Sequence, residues 1–170
     1  MSHPDLPLLL ASGPLALVAG WDIAQRRIPN WANAVLATAG LASQALYAGG
    51  WAFLSGIGAA IVTLVILWTP WSKGRLGGGD VKATVAAATL FGFSWLFKFY
   101  LFAAIAAGVF AVICLMASAA HVRRTIAENL KLAALRHGLP DAPMRSGGGR
   151  VSVPFGAAMA AGALVLLWWR

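Results

Sequence analysis

Two long apolar runs meet at the stretch Gly74-Arg75-Leu76-Gly77-Gly78-Gly79-Asp80-Val81-Lys82. Its carboxylate is conspicuous, because the chain of 170 residues has only five Asp and Glu residues and a charge at the start of an apolar helix is costly in a membrane. A second aspartate, Asp22, closes the first apolar run. We interpret Asp22 and Asp80 as a functional pair that the topology brings to one face of the membrane.

The composition is typical of an integral membrane protein. Hydrophobic residues make up 60% of the chain and charged residues 11%, and a protein of this size cannot bury so many apolar side chains in a water-soluble core. The single cysteine, Cys114, excludes an internal disulfide and a multi-cysteine metal site. We therefore predict an all-α integral membrane protein that forms a single domain over residues 1–170.

Six apolar segments approach the length of about 20 residues that a membrane-spanning helix needs. They are residues 6–22, 31–47, 51–70, 81–95, 99–120 and 152–169. Pro29 predicts a helix boundary after the first span, Gly49 and Gly50 predict a turn after the second, and Lys98 marks a turn after the fourth. The N-terminal run lacks the basic region and the cleavage site of a signal peptide, so we expect it to be the first span.

The polar stretch 121–150 separates the fifth span from the sixth. Apolar side chains recur in it at helical spacing, at Val122, Ile126, Leu130 and Ala134. This pattern predicts an amphipathic helix at the membrane surface. The glycines and prolines that follow it predict a flexible connector.

Lys and Arg are concentrated on one side of this six-span topology, where residues 25–30, 71–79 and 121–150 lie. Eleven of the 13 are on that side: Arg26, Arg27, Lys73, Arg75, Lys82, Arg123, Arg124, Lys131, Arg136, Arg145 and Arg150. The positive-inside rule makes it the cytoplasmic side and puts both termini in the periplasm. The excess positive charge therefore indicates orientation and contact with anionic membrane lipids, and we expect no nucleic-acid partner.

Two carboxylates at one low-dielectric site can act as an acid–base pair. They would share one proton, so that one member takes a proton from an attacking water while the other polarises a carbonyl oxygen. The glycines before Asp80 would let an extended peptide approach the backbone. Structural roles explain each aspartate alone equally well, Asp80 as a helix N-cap and Asp22 as an ion-pair partner of Arg26.

Other chemistries lack the residues that they need. The three histidines, His3, His121 and His137, lie outside the apolar spans, and the chain has no His-Glu-x-x-His motif. The glycine stretch also lacks the Gly-Lys-Ser/Thr ending of a phosphate-binding loop. We therefore expect no metal site, no cofactor and no nucleotide hydrolysis.

Three segments resemble the type IV prepilin peptidases, which are Gly-x-Gly-Asp intramembrane aspartyl proteases. Gly77-Gly78-Gly79-Asp80, continued by Val81-Lys82, matches the Gly-x-Gly-Asp motif. Asp22 with the following Arg26-Arg27-Ile28-Pro29-Asn30 is similar to the first catalytic segment of this family. Pro154 and Gly156 are similar to the Pro-x-Gly motif of its C-terminal helix.

The resemblance implies that Asp22 and Asp80 are the catalytic dyad of an endopeptidase. Its substrate would be a prepilin, cut between leader and hydrophobic helix at the cytoplasmic face of the bacterial inner membrane. Supporting or substrate-binding roles follow for Gly77, Gly78, Gly79, Lys82, Arg26, Arg27, Pro29, Asn30, Pro154 and Gly156.

The chain lacks the paired cysteines of the longer family members that also methylate their product. We therefore expect a peptidase without methyltransferase activity, similar to the short peptidases of tight-adherence, Flp-type pili. Leaders of such substrates are basic, as is the cytoplasmic face, so recruitment needs local contacts or docking of the hydrophobic helix. The alternative is a non-enzymatic transporter or assembly subunit that binds a proton or cation at Asp22 and Asp80.

Overall fold

The computed structural model describes residues 5–118, 120–135 and 154–169, which form six helices and their short connections. The helices are α1 (Asp5–Gln25), α2 (Asn30–Ala48), α3 (Gly50–Ser72), α4 (Gly78–Ala117), α5 (Ala120–Leu135) and α6 (Phe155–Trp169). No strand occurs in these three ranges. The all-α prediction is confirmed, whereas the predicted connector after α5 and the first residues of the predicted sixth span lie outside the described residues.

Among the described helices, α3 and α4 are long and apolar enough to cross a membrane, and α6 is a shorter apolar helix. The apolar side chains of α3 are largely uncovered by the protein, since Ile61, Val65 and Ile66 are 58%, 67% and 53% exposed. A contiguous apolar surface of this kind requires a non-aqueous environment or a partner. The helix surfaces therefore support a membrane protein, and the number of spans stays a prediction.

The start of α2 and the end of α2 lie at the proline and the glycine that predicted them. Pro29 is the N-cap of α2, and its carbonyl accepts hydrogen bonds from the N–H groups of Ala32 and Asn33. Pro14, in contrast, lies inside α1. Gly49 has a φ of 84° and separates α2 from α3. The boundaries predicted at Pro29 and at Gly49 are confirmed.

A tight turn at Gly74 links α3 to α4. Helix α3 continues two residues beyond the predicted end at Pro70, and Gly74 then takes a φ of 66°. The N–H of Arg75 bonds to the carbonyl of Pro70, and the N–H of Gly74 bonds to that of Trp71, which is the hydrogen-bond pattern of a Schellman C-cap. Because α4 already begins at Gly78, Asp80 lies in its first turn.

The turn predicted at Lys98 is wrong, because Lys98 lies within α4 with its ammonium 4.1 Å from the ring centre of Trp95. The helix is interrupted instead at Gly92, with φ 59° and ψ −171°. The rings of Phe91 and Phe99 stack with centroids 5.0 Å apart, although a straight helix would separate residues eight apart by about 12 Å. The chain therefore bends sharply at Gly92, between a first arm (78–91) and a second arm (93–117) of α4.

Side chains of α2 and α3 satisfy the backbone groups that the break at Gly92 releases. The amide of Gln44, which is buried, donates a hydrogen bond of 3.0 Å to the carbonyl of Leu90. The N–H of Phe93 donates to the hydroxyl of Ser55 at 2.8 Å. Unpaired backbone groups are expensive in an apolar environment, so Gln44 and Ser55 make this break tolerable.

The helices approach one another through small residues. A Cβ added at Gly40 of α2 would collide with the hydroxyl of Thr89, and one at Gly162 of α6 would lie 2.6 Å from the carbonyl oxygen of Phe102. Such close backbone approach is typical of helix packing in membranes. The largest fully buried side chains are Leu15, Val18, Leu36, Thr63, Phe91, Phe99, Met159 and Leu166.

The chain forms two compact units. The first contains α1, α2, α3, α4 up to Ala107, and α6. The second contains the end of α4 and α5, where the Arg123 guanidinium donates hydrogen bonds to the carbonyls of Met116 and Ser118. The helix α5 covers the first part of the polar stretch, and an amphipathic segment at the membrane surface stays a prediction.

Gly92→Ala is expected to destabilise the protein by about 1–3 kcal/mol, because its backbone conformation is open almost only to glycine. The added Cβ would also lie 2.8 Å from the Ser55 hydroxyl. Thermal unfolding of the purified protein in detergent measures the effect. Gly108→Ala, in the same helix with nothing within 4 Å of the added Cβ, is the control and should not lower the melting temperature. Equal melting temperatures for the two variants would contradict the interruption of α4 at Gly92.

Candidate active site

An open cavity of about 510 Å³ lies where the end of α1 and the start of α2 meet the start of α4. Its size suits a small ligand or a short stretch of peptide. The cavity is lined by Trp21, Asp22, Gln25, Arg26, Arg27, Ile28, Pro29, Asn30, Gly77, Gly79 and Asp80. The structure thus brings Asp22 and Asp80 into one cavity, close enough to interact electrostatically.

The carboxylate of Asp22 is held by the start of α6. Asp22 lies in the last turn of α1, is only 5% exposed, and accepts a 3.0 Å hydrogen bond from the backbone N–H of Ala157 through Oδ2. The first N–H groups of a helix have no partner within the helix, and the positive end of the helix dipole favours a negative charge. The contact thus gives the buried carboxylate of Asp22 a donor and gives the N–H of Ala157 an acceptor.

Pro154 and Gly156, on either side of the first residue of α6, shape this contact. Pro154 is buried directly before α6, and its carbonyl accepts the N–H of Ala158 at 3.1 Å. A Cβ at Gly156 would lie 3.1 Å from Asp22 Oδ2 and 2.5 Å from Ile28 Cδ1. Only glycine lets α6 come this close to Asp22 without displacing a neighbour.

The carboxylate of Asp80 turns back over the start of α4. Gly77, immediately before the helix, donates a backbone hydrogen bond to it. In a capping box, likewise, the side chain of the third helical residue accepts a hydrogen bond from the N–H of the N-cap residue. The N-cap of α4 is therefore Gly77, and the N-cap role that the sequence offered for Asp80 is wrong. A Cβ at Gly77 would lie 2.9 Å from Asp80 Oδ2, so a larger residue there would move the carboxylate.

The remaining predicted site residues divide into two groups. Arg26, Arg27, Pro29, Asn30, Gly77 and Gly79 line the cavity together with the aspartates. The others, Gly78, Lys82, Pro154 and Gly156, do not line it. A Cβ at Gly78 would lie 3.4 Å from the indole nitrogen of Trp71. The Lys82 ammonium donates a 2.9 Å hydrogen bond to Asn30 Oδ1, which links the N-terminal part of α4 to the first residue of α2.

Sequence reasoning assigned no site role to Trp21, Gln25, Ile28 or the N–H of Ala157. Gln25 follows Asp22 by three residues, a spacing that puts both on one helix face and could have identified it. Trp21 packs edge-to-face on Trp31 with ring centroids 5.3 Å apart. The donor at Ala157 is a backbone N–H, which any residue except proline has, so the residue type does not identify it. Pro154 indicates only that a helix begins nearby.

Two carboxylates in one cavity are suited to general acid–base catalysis. In the part of the chain that the structure describes, no three His, Cys, Asp or Glu side chains come together. The glycines that line the cavity leave space beside the carboxylates in which a peptide bond can lie. The arrangement therefore fits addition of water to a peptide carbonyl.

Gly156→Ala is expected to destabilise the protein by about 1–3 kcal/mol, the usual cost of overpacking. Adding Ile28→Val, which removes the Cδ1 atom 2.5 Å from the new Cβ, should recover part of the loss, and thermal unfolding in detergent measures both. Gly20→Ala in α1, where nothing lies within 4 Å of the added Cβ, is the control. A Gly156→Ala protein as stable as this control would contradict the close contact.

The model of the type IV leader peptidase family matches residues 9–112 of the chain. This range is more than half of the chain and includes both aspartates and the glycine stretch. Pro154, Gly156 and the rest of α6 lie beyond it. No curated protein and no solved structure matches the chain.

Proposed function

Because the chain belongs to the type IV leader peptidase family, we propose that it is an intramembrane aspartyl endopeptidase that removes the leader from prepilins. The family supports a peptidase whose substrates are prepilins. The aspartyl mechanism is supported by one observation, the presence of Asp22 and Asp80 in the same cavity. Supporting roles are proposed for the glycines, Arg26, Arg27, Pro29, Asn30, Lys82, Pro154 and Gly156.

The proposed reaction needs one proton shared between the two carboxylates. Each carboxylate accepts a backbone hydrogen bond at the start of a helix, Asp80 from Gly77 and Asp22 from Ala157, which favours negative charge at both. We assign the ionised state to Asp22. It takes a proton from the attacking water while the protonated Asp80 donates a hydrogen bond to the carbonyl oxygen of the scissile bond. The proton on Asp22 then passes to the departing amine as the C–N bond breaks.

The glycines that line the cavity leave room for a peptide to reach the carboxylates. Gly77 and Gly79 line it without side chains, which lets an extended peptide lie against the backbone beside Asp80. Arg26 and Arg27 line the same cavity. Their positive charge repels a basic leader, so the binding energy has to come from other parts of the substrate.

We also propose that the site faces the cytoplasm at the bacterial inner membrane, with both termini in the periplasm. The two arms of α4, counted separately, give six apolar helical segments together with α1, α2, α3 and α6, which supports the six-span topology. The distribution of Lys and Arg supports the orientation. An Flp-type pilin is the proposed substrate, and the single cysteine supports a peptidase without methyltransferase activity.

The non-enzymatic alternative, with a proton or cation bound at Asp22 and Asp80, is not favoured by the family. It also gives no reason for a glycine-lined cavity open enough for a peptide. Replacement of each carboxylate by the isosteric amide separates the two functions, since an amide can neither accept nor supply the catalytic proton.

Asp22→Asn and Asp80→Asn are each expected to lower prepilin cleavage by about 10²–10⁴-fold, the usual contribution of general acid–base catalysis. The variants are co-expressed with an Flp-type prepilin, leader removal is read on a gel, and mass spectrometry identifies the mature N-terminus. An unmethylated mature mass is expected.

The matched control is Glu128→Gln, an isosteric change of an exposed carboxylate on α5, which should cleave as wild type does. Cleavage that persists in either aspartate variant, at normal membrane levels, would exclude the dyad.

A further inference from the structure

A second cavity, of about 570 Å³, lies beside the candidate active site. It is a groove between α2, α3 and the first arm of α4, and we refer to it as the α2–α3–α4 groove. Its walls are mainly apolar and include Ala37, Leu41, Ile57, Ile61, Val85 and Ala86. A groove of this volume and composition can hold part of an apolar chain.

One end of the groove is polar and adjoins the aspartates. Asn30, Asn33 and Lys82 line that end, and Asn30 also lines the cavity of Asp22 and Asp80. The hydrogen bond from Lys82 to Asn30 forms part of the boundary between the two spaces. A chain leaving the aspartates can therefore pass over this boundary directly into the groove.

Among the described residues, nothing hydrogen-bonds to either polar atom of the Asn33 side chain. It is only 6% exposed, it lines the groove, and neither its Oδ1 nor its Nδ2 atom is bonded within the described residues. Buried carboxamides are normally satisfied, because an unpaired polar group in an apolar place is costly. The occupant of the groove should therefore offer both a donor and an acceptor at this point.

A peptide backbone offers that combination, since each residue carries one N–H and one C=O. The acyl chain of a lipid offers neither group and would leave Asn33 unsatisfied. A peptide that is cut must also be non-helical at the scissile bond, so the residues next to it carry backbone groups without helical partners. In an apolar layer those groups need partners from the protein.

We propose that the α2–α3–α4 groove binds the apolar segment that follows the scissile bond of the prepilin, and that Asn33 hydrogen-bonds to the backbone of its first residues. The inference rests on the proposed peptidase function. It agrees with the order of the substrate, in which a hydrophobic helix directly follows the leader. It also supplies affinity that the basic cytoplasmic face cannot provide for a basic leader.

Photo-crosslinking identifies the occupant. Benzoylphenylalanine replaces Ile61, which lines the groove and is 58% exposed, or the control residue Ile66, which is 53% exposed on the same helix and does not line it. Both are made in the full-length Asp80→Asn protein in membranes containing an uncut prepilin. An adduct from position 61 to the apolar segment of the prepilin, with none from position 66, is expected. Lipid adducts alone at position 61, or equal prepilin adducts at both positions, would overturn the proposal.

Asn33→Leu tests the role of the carboxamide. Replacing an unsatisfied buried amide with an apolar side chain of similar size should leave the melting temperature unchanged or higher. The KM for the prepilin should nevertheless rise about tenfold, the equivalent of one lost hydrogen bond, with little change in kcat. A residue with a merely structural role would lower stability and leave KM unaffected, and that result would overturn the proposal.

The two proposals fail in different ways. A wild-type protein that does not cleave the prepilin contradicts the proposed function and the groove assignment with it. Normal cleavage by wild type, combined with an unchanged KM in Asn33→Leu and lipid adducts at position 61, contradicts the groove assignment alone.

Discussion

A buried carboxylate in an apolar protein needs a hydrogen-bond donor, and Asp22 finds one 135 residues further along the chain, at the N–H of Ala157. This contact joins the end of α1 to the start of α6 and fixes one of the two aspartates of the cavity. The same requirement explains the break in α4, where Gln44 and Ser55 bond to backbone groups on either side of Gly92. Several polar contacts between the described helices satisfy groups that could not otherwise remain in an apolar layer.

Glycine makes these contacts possible by leaving space. Gly156 lets α6 reach Asp22, Gly77 lets the carboxylate of Asp80 fold back over its own helix, and Gly92 takes a backbone conformation that other residues avoid. The catalytic proposal therefore depends on α6 as much as on the two aspartates. The family match ends at residue 112, but the donor that holds Asp22 lies in the last described helix.

Much of the architecture could be predicted from the sequence because the signals were local. Pro29 and Gly49 mark helix ends through their own backbone geometry, and the few carboxylates made Asp22 and Asp80 stand out. Gly92 escaped prediction because it lies between two phenylalanines in an uninterrupted apolar run. Lys98, the charged residue nearby, lies instead in an intact part of the helix with its ammonium over the ring of Trp95. The Ala157 donor and the unsatisfied Asn33 depend on which helices pack together, and a sequence without its tertiary contacts does not contain that information.

The first arm of α4 is short for a membrane. Residues 78–91 rise about 21 Å at about 1.5 Å per residue, whereas the hydrocarbon layer is about 30 Å thick. In the proposed topology the mismatch of about 9 Å is met by thinning of the bilayer around the arm or by an Asp80 that lies beneath the headgroups. Hydrolysis consumes water, so the open cavity is also the aqueous route to the carboxylates. In the proposed topology, the thickness of the host bilayer therefore sets the depth at which the scissile bond meets the carboxylates.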